Sequence, residues 1–385
     1  MARHYGMDWL RIGAFALLIL YHIGMVFVPW GYHVKAVRTV DWATVPMLLS
    51  SAWRLTLLFL VSGYASRALL VRAPDLRRFV RTRTSRLLVP LAFGIAVIVP
   101  PQSWVELVTQ HGYAQDYLHF WSRDFFRFGP LSGVVLPNWN HLWFVGYLWV
   151  YTLALALLLS IPRPATLQRG FDRLFGGIAV VWLPIAYLLV FQVYGFQRWT
   201  DTHDVIHDGL AHLGFFPAFL FGFALAGSDA AMAALVRWRW LSATLALLSY
   251  GVVGGVAMVW PGASSPPQWI ADQTLWARQV QCWTTIAALI GVAEVSLNRD
   301  HRWRATLAEA VFPLYLIHQT LIVVVGYWLR ATALPLAAQF AILVTATVAG
   351  CWAFYLVGRR VGWLRPLIGL RRRVAVAHPS ANDTR

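Results

Sequence analysis

Three residues near the amino terminus have the types and the spacing for proton transfer inside a membrane. Asp8 and Arg11 begin an apolar stretch, and His22 lies eleven residues after Arg11. Eleven residues of α-helix make very nearly three turns, so Arg11 and His22 share a face, about 16 Å apart along the axis. Because an ionisable ring at that depth is costly, His22 indicates a functional site. A histidine that only hydrogen-bonds a neighbouring helix is the structural alternative.

Two other ionisable residues, Arg54 and His318, lie within later apolar runs. The helix rise places His22 about 19 Å into its span, Arg54 about 12 Å into the next from the opposite side, and His318 near the middle of another. All three side chains would therefore lie near one depth. We expect a neutral His22 to act as general base, and His318 and Arg54 to orient a substrate or stabilise an oxyanion. For His318 and Arg54, joining helices by hydrogen bonds is the alternative.

The chain that carries these residues has the composition of a membrane protein. Of the 385 residues, 59% are hydrophobic and only 12% are charged, which is too few charges for a water-soluble domain. The net charge of +16 comes from arginines in short clusters between apolar runs. This is the positive-inside pattern, and it argues against nucleic acid as a partner. Cys282 and Cys351 lie in apolar runs, where packing is their expected role.

Counting apolar runs of about twenty residues predicts an all-α membrane protein of about ten transmembrane helices. The predicted spans are 9–30, 46–70, 87–105, 141–161, 175–197, 207–227, 239–260, 276–297, 307–329 and 336–358. Arginine-rich loops alternate with arginine-poor loops, which predicts that both termini are cytoplasmic. We expect one transmembrane domain over 1–370 and a basic, disordered cytoplasmic tail over 371–385.

A dense run of arginines would lie at the cytoplasmic mouth of the third span. Arg81, Arg83 and Arg86 are spaced closely there, and the guanidinium group binds phosphate through two parallel hydrogen bonds. Arg11 would lie at the mouth of the first span, where Asp8 at i and i+3 can fix its orientation. These arginines are therefore candidates for binding a phosphorylated ligand. Setting the membrane topology alone is the alternative.

Five sequence elements, in order, resemble the type-3 membrane acyltransferases, integral enzymes that O-acylate glycans. The resemblance extends from Tyr5 to about Trp328. The five elements are Asp8-x-x-Arg11 followed by ten residues and His22, residues 58–64 (LFLVSGY), 79–90 (FVRTRTSRLLVP), 141–144 (HLWF) and 312–319 (FPLYLIHQ). Residues 30–35 (WGYHVK) and 99–102 (VPPQ) most resemble the branch that succinylates periplasmic glucans.

The resemblance implies transfer of an acyl group, acetyl or succinyl, from cytosolic acyl-CoA to a glycan hydroxyl across the bacterial inner (cytoplasmic) membrane. Either the hydroxyl attacks directly, with His22 as base, or His22 carries the acyl group transiently. His318 and Arg54 complete the expected catalytic group. The residues expected to bind acyl-CoA are Asp8, Arg11, Arg81, Arg83 and Arg86. The residues expected to contact the acceptor are Trp30, His33, Ser62, His141, Trp143 and Tyr315.

The other expected partners are membrane lipids, and a homo-oligomer is compatible with the resemblance. No metal is expected. Asp201, His203, Asp204, His207, Asp208 and His212 have spacings like those of metal ligands, but loop capping and solvent contact explain such residues better. The segment 106–140 is expected to form a re-entrant or interfacial cap, whose aromatic and polar residues could hold a sugar, although anchoring at the membrane interface is the commoner reason for such residues.

A transporter or flippase of a glycan or lipid-linked intermediate is the alternative function. Such proteins also bury histidine and arginine in the membrane, but they often show internal repeats and paired broken helices. The sequence indicates neither repeats nor paired broken helices, and the spacing from Arg11 to His22 with the arginine run favours the enzyme.

Overall fold

The computed structural model describes residues 4–72, 75–161, 164–195, 204–262 and 264–372, and these are almost entirely helical. The predicted tail over 371–385 therefore lies outside the described residues from 373 onward. The helices are α1 (Tyr5–Met25), α2 (Thr44–Ser51), α3 (Arg54–Arg72), α4 (Leu76–Phe93), α5 (Pro100–Gln110), α6 (Tyr117–His119), α7 (Trp143–Ser160), α8 (Pro164–Phe175), α9 (Ala179–Gly195), α10 (Gly209–Leu225), α11 (Asp229–Arg237), α12 (Arg239–Val259), α13 (Gln268–Ser296), α14 (Arg304–Leu329), α15 (Leu336–Arg360) and α16 (Leu364–Leu367). One antiparallel hairpin joins β1 (Gly129–Leu131) to β2 (Val134–Leu136).

The described part of the chain contains seven helical segments that are long and apolar enough to cross a membrane. The seven are Tyr5–Met25, Asp41–Arg72, Leu76–Gln110, Asn140–Ser160, Arg239–Val259, Arg304–Leu329 and Leu336–Arg360. Two helix pairs bent at short breaks, which the sequence did not predict, raise the number to nine if each pair is one span. They are Ala165–Phe175 with Ala179–Gly195, at 98°, and Gly209–Leu225 with Asp229–Arg237, at 108°. The all-helical multi-pass fold is confirmed, whereas the count of ten and the orientation of the termini stay predictions.

The predicted span 276–297 coincides with the later part of α13, which ends at Ser296 and is not among these candidates. Two of its glutamine side chains donate hydrogen bonds to neighbouring elements. The amide of Gln279 donates to Gln192 at 2.6 Å, and Gln281 donates to the Leu48 carbonyl at 3.2 Å. Polar residues thus interrupt the apolar run on which the predicted span rests.

The third predicted span is part of a longer helical segment, Leu76–Gln110. Asp75 caps its first turn by accepting from the backbone N–H groups of Arg77 and Arg78 at 2.9 and 3.3 Å. A π-helical turn, Gly94–Ile98, joins α4 to α5, and α5 begins with a proline, whose missing N–H costs nothing there. This junction carries the chain on to Gln102 and Glu106.

Helices α1 and α14 are linked at two levels. At one end, Asp8 Oδ2 lies 2.7 Å from Arg304 Nη1. Further along, His22 Nδ1 lies 2.8 Å from His318 Nε2. Fourteen residues separate Asp8 from His22, and fourteen separate Arg304 from His318, a rise of about 21 Å in each helix. The two helices therefore run in the same direction and in register.

Helices α3 and α10 approach each other backbone to backbone. A Cβ atom added at Gly63 would lie 1.8 Å from the Phe219 carbonyl oxygen, and one added at Gly222 would lie 1.9 Å from the Leu60 oxygen. Only glycine fits at either contact, since a backbone cannot rotate out of the way as a side chain can. This contact holds α3, which carries Arg54, against the rest of the bundle.

Substitution of Gly63 by alanine should therefore force α3 and α10 apart. We expect Gly63→Ala to destabilise the protein by about 1–3 kcal/mol, as overpacking does, and to lower its unfolding midpoint in detergent. Gly251→Ala is the matched control, because a Cβ at Gly251 would meet no atom within 4 Å. Equal midpoints for the two variants would contradict the close approach.

Candidate active site

A cavity of about 460 Å³, here called the histidine cavity, lies between α1, α3, α14 and the start of α7. It has polar and aromatic walls, and most of the residues expected to act on substrate line it. Those residues are His22, His33, Arg54, His141, Trp143 and Tyr315. Leu18, Tyr32, Leu55, Leu58, Asn138, Trp139, Asn140, Phe144 and Gln319 complete the lining. The structure thus brings together side chains that are up to 301 positions apart in the sequence, from Leu18 to Gln319.

His22 and His318 form a hydrogen-bonded pair whose proton positions follow from their partners. His318 is fully buried, and its Nδ1 lies 2.6 Å from the Tyr315 carbonyl oxygen. A carbonyl only accepts, so Nδ1 of His318 carries the proton and its Nε2 is the acceptor for Nδ1–H of His22. Nε2 of a neutral His22 then keeps its lone pair. The dyad therefore sets the His22 tautomer that a general base needs.

His141 and Arg54 line the histidine cavity next to this dyad. His141 Nε2 donates to the Leu316 carbonyl at 3.1 Å, and the Tyr315 hydroxyl donates to the His141 carbonyl. Arg54 stacks on the ring of Tyr21, with Cζ 3.3 Å from the ring centroid. These contacts hold a cation and a third imidazole close to His22.

The loop over residues 26–40 is held in place by Lys35. Its ammonium donates to the carbonyl oxygens of Met25 at 2.5 Å, Trp30 at 2.7 Å and Val28. Burial lowers the pKa of Lys35 to about 8, so the ammonium form still predominates at pH 7. A cation on the last carbonyls of a helix is favourable, and here it turns the chain so that the loop reaches the cavity.

The same loop supplies His33, which belongs to a second polar network. Nδ1 of His33 donates to Glu106 at 2.5 Å, and its Nε2 accepts from the Gln319 amide at 2.9 Å. Gln319 also donates to Gln102 Oε1 at 3.1 Å. Glu106 and Gln102 were not among the residues expected at the site. Their i, i+4 spacing on an amphipathic helix was the available signal, because it places both on one face.

The expected acyl-CoA residues lie at the end of α1 that carries Asp8. Nε and Nη2 of Arg83 and Nε of Arg11 are buried and have no hydrogen-bond partner within the described ranges. The charges of Arg11 and Arg86 both act on Arg83. Arg81 instead is exposed on α4. Arg11, Arg83 and Arg86 are called the basic cluster below.

Asp8 has a closer partner than the one expected from the sequence. Its carboxylate lies 3.8 Å from Arg11 but 2.7 Å from Arg304, a residue that the sequence analysis did not single out. Arg304 also pairs with Asp300 at 2.7 Å, and Arg11 donates to the Ala308 carbonyl at 3.3 Å. Asp8 therefore mainly joins α1 to α14.

Two residues expected to contact the acceptor do not line the histidine cavity. The Ser62 hydroxyl donates to the Leu58 carbonyl at 2.7 Å, within its own helix. The Trp30 ring packs beside Tyr21, with 6.2 Å between ring centroids. A direct acceptor contact by either residue would need a rearrangement.

Residues 106–140 cover part of the site. Trp121 donates to the Ala96 carbonyl at 2.8 Å, which ties the segment to the α4–α5 junction. Asn138 lies at its far end, where it lines the histidine cavity. The segment therefore packs onto the helices and contributes to the cavity wall, as expected of a cap.

The region with metal-like spacing is only partly described. Asp201 and His203 lie outside the described residues, and the described part of the chain contains no group of three or more His, Cys, Asp or Glu side chains arranged to hold a metal ion. Asp208 caps α10 by accepting from the Ala211 N–H, and it also accepts from the Tyr147 hydroxyl, both at 2.9 Å. Asp208 therefore caps a helix, as expected.

Comparison with known proteins identifies the family of this chain. Residues 4–356 match the model of a family described as an acyltransferase domain. The chain belongs to the type-3 acyltransferase family. Its multi-pass helical structure is that of a membrane protein.

Curated relatives are similar over part of the chain. Glucans biosynthesis protein C of Salmonella heidelberg (strain SL476) is 25% identical over 204 residues, which are 50% of this chain and 50% of that protein. The protein of the same name from Escherichia coli (strain K12) is 27% identical over 150 residues, 39% of this chain and 37% of that protein. The match therefore spans about half the length of these relatives or less. No solved structure matches.

The role of Lys35 can be tested by Lys35→Met, which keeps the length of the side chain but removes its donors. We expect a loss of about 1.5–3 kcal/mol of stability, typical of hydrogen bonds to a charged group, and a lower unfolding midpoint in detergent. Arg38→Met, an exposed cation of the same loop, is the control and should leave the midpoint unchanged. If Lys35→Met were as stable as this control, the ammonium would not be holding the loop.

Proposed function

We propose that this protein is an O-acyltransferase of the bacterial inner membrane that moves an acyl group from cytosolic acyl-CoA to a glycan hydroxyl on the periplasmic side. The observation that carries the proposal is the His22–His318 dyad, which leaves a lone pair on Nε2 of a ring that lines a cavity. Membership of the acyltransferase family supports the reaction class. The glycan acceptor is suggested by relatives named for glucan biosynthesis.

In the proposed reaction, Nε2 of His22 takes the proton of the acceptor hydroxyl as its oxygen attacks the thioester carbonyl carbon. The C–S bond then breaks, and the proton passes from His22 to the leaving thiolate, so that an ester and free CoA thiol result. His318 stabilises the imidazolium by accepting the Nδ1 proton of His22 in a hydrogen bond. A transient acyl-His22 is the second route, and it needs the same lone pair.

The acyl-CoA donor would bind along α1. The basic cluster has buried guanidinium nitrogens without partners in the described part of the chain, and CoA phosphates would compensate their charge. Arg11 and His22 lie on one face of α1, about 16 Å apart along the axis. The flexible pantetheine arm would bridge this interval and present the thioester at His22. The proposal therefore requires the cytosol to lie at the Asp8 end, which is the orientation predicted from the arginine clusters.

Removal of the proposed base should abolish transfer. We expect His22→Ala to lower acyl-CoA turnover by about 10²- to 10⁴-fold, the usual contribution of general acid–base catalysis. The measurement is thiol release from acetyl-CoA and from succinyl-CoA by the purified protein, with a glucan extract as acceptor and folding verified by gel filtration. His207→Ala, which removes an exposed histidine far along the chain, is the control. Undiminished turnover by His22→Ala would refute the mechanism.

The basic cluster should govern donor affinity. We expect Arg83→Gln to raise KM for acyl-CoA about ten-fold or more with little change in kcat, since a lost charge-assisted hydrogen bond weakens binding uniformly. Arg78→Gln on the same helix is the matched control, because Arg78 is exposed. Reduced membrane insertion of Arg83→Gln with an unchanged KM would mean that this arginine serves topology alone.

A further inference from the structure

Besides the Tyr32 hydroxyl, two side chains on the wall of the histidine cavity have buried hydrogen-bonding atoms without a partner in the described part of the chain. The first is His141, which is 7% exposed. Because its Nε2 must carry a proton to bond the Leu316 carbonyl, Nδ1 of the neutral ring is an acceptor. This Nδ1 is buried, and none of the described residues offers it a donor.

The second side chain is Arg54, which is 6% exposed. Its Nε and Nη1 are buried and find no acceptor within the ranges that the structure describes. The guanidinium group has only donors, so it needs an acceptor, whereas Nδ1 of His141 needs a donor. Stacking on Tyr21 compensates part of the cost of burying the charge but satisfies neither nitrogen.

Buried polar atoms without partners are rare, and each costs free energy until a ligand or water satisfies it. A ligand for this wall must therefore donate to His141 and accept from Arg54. A carboxylate, a phosphate or a thioester carbonyl can only accept and would leave Nδ1 of His141 unsatisfied. A hydroxyl group both donates and accepts, and a sugar carries several of them on adjacent carbons.

We propose that His141 and Arg54 form the recognition site for hydroxyls of the acceptor that neighbour the one delivered to His22. His141 Nδ1 accepts a proton from one hydroxyl and Arg54 donates to a hydroxyl oxygen, so that the acceptor is a neutral sugar with free neighbouring hydroxyls. The inference rests on the proposed function and deepens it. Trp139 and Trp143 line the same cavity and offer flat apolar surfaces to the C–H face of a pyranose ring.

Two variants of His141 separate its two nitrogens. In His141→Gln the amide nitrogen takes the place of Nε2, keeping a donor for the Leu316 carbonyl but removing the acceptor at Nδ1. In His141→Asn the amide oxygen takes the place of Nδ1, keeping the acceptor but losing the bond to Leu316. A structural role of His141 predicts that the asparagine variant is the worse one, and our proposal predicts the opposite.

The probe acceptor is methyl β-D-glucopyranoside together with its single-deoxy derivatives, and transfer is followed by mass spectrometry beside thiol release. We expect His141→Gln to raise the acceptor KM by about 10- to 100-fold, the range for a site whose buried group loses its partner. His141→Asn, which keeps the acceptor, should have an acceptor KM much closer to that of the wild type. With the wild type, removal of one particular hydroxyl from the sugar should raise the acceptor KM by a similar factor. With His141→Gln, removal of the same hydroxyl should raise the KM no further.

Three results would overturn the inference. The first is a rise in acceptor KM, caused by His141→Gln, that has the same size for every deoxy sugar. The second is a raised KM for the acyl-CoA instead of the sugar, which would assign Nδ1 to a pantetheine amide. The third is a wild type that releases thiol but acylates none of these sugars. Absence of thiol release with any donor is a different outcome, because it would remove the proposed function itself.

Arg54→Gln separates acceptor binding from oxyanion stabilisation. Water can also attack the thioester, and its attack passes through the same oxyanion. If Arg54 binds the acceptor, the ratio of sugar transfer to hydrolysis should fall about ten-fold or more in this variant. An unchanged ratio with both rates reduced would assign Arg54 to the oxyanion and overturn its part in the inference.

Discussion

The site depends on the parallel pairing of α1 and α14, held at one end by the Asp8–Arg304 ion pair and further along by the His22–His318 hydrogen bond. Equal spacing of fourteen residues in both helices lets both contacts form without a shift in register. Inside a bilayer, where water cannot replace a lost partner, polar pairs of this kind favour one alignment of two helices over others. The same alignment sets the tautomer of His22.

The remaining elements shape a cavity around this pair of helices. Glycine contacts bring the backbones of α3 and α10 together, and Lys35 turns the loop after α1 back over the site. The network from Glu106 through His33 to Gln319 joins that loop to α5 and α14. Each of these contacts either satisfies a buried polar group or brings two backbones into direct contact. They therefore fix the walls of the histidine cavity in position, as the proposed chemistry requires.

In the part of the chain that the structure describes, two groups of buried polar atoms without partners lie at the proposed binding sites, and single ones lie elsewhere, on Trp238, Ser242, Gln281 and Thr347. Arg11 and Arg83 have buried free nitrogens at the Asp8 end of α1, and Arg54 and His141 have them on the wall of the histidine cavity. Elsewhere, residues such as Gln279 and Asp208 have found partners in the described structure. The two groups at the proposed sites suit the proposed ligands, because guanidinium nitrogens bind phosphates and an acceptor beside a donor binds hydroxyls.

The sequence by itself determined the helical membrane architecture and its family, because apolar runs, arginine clusters and the spacing from Arg11 to His22 are local properties of the chain. It also predicted that His22, Arg54 and His318 would lie near one depth, since helix rise converts position into depth. Only the tertiary structure decided which side chains touch. That Asp8 lies nearer Arg304 than Arg11, that Ser62 bonds its own helix, and that Glu106 supports His33 depend on how helices rotate and pack. Periodicity in one segment cannot specify contacts with another, because those are set by the shape of both surfaces.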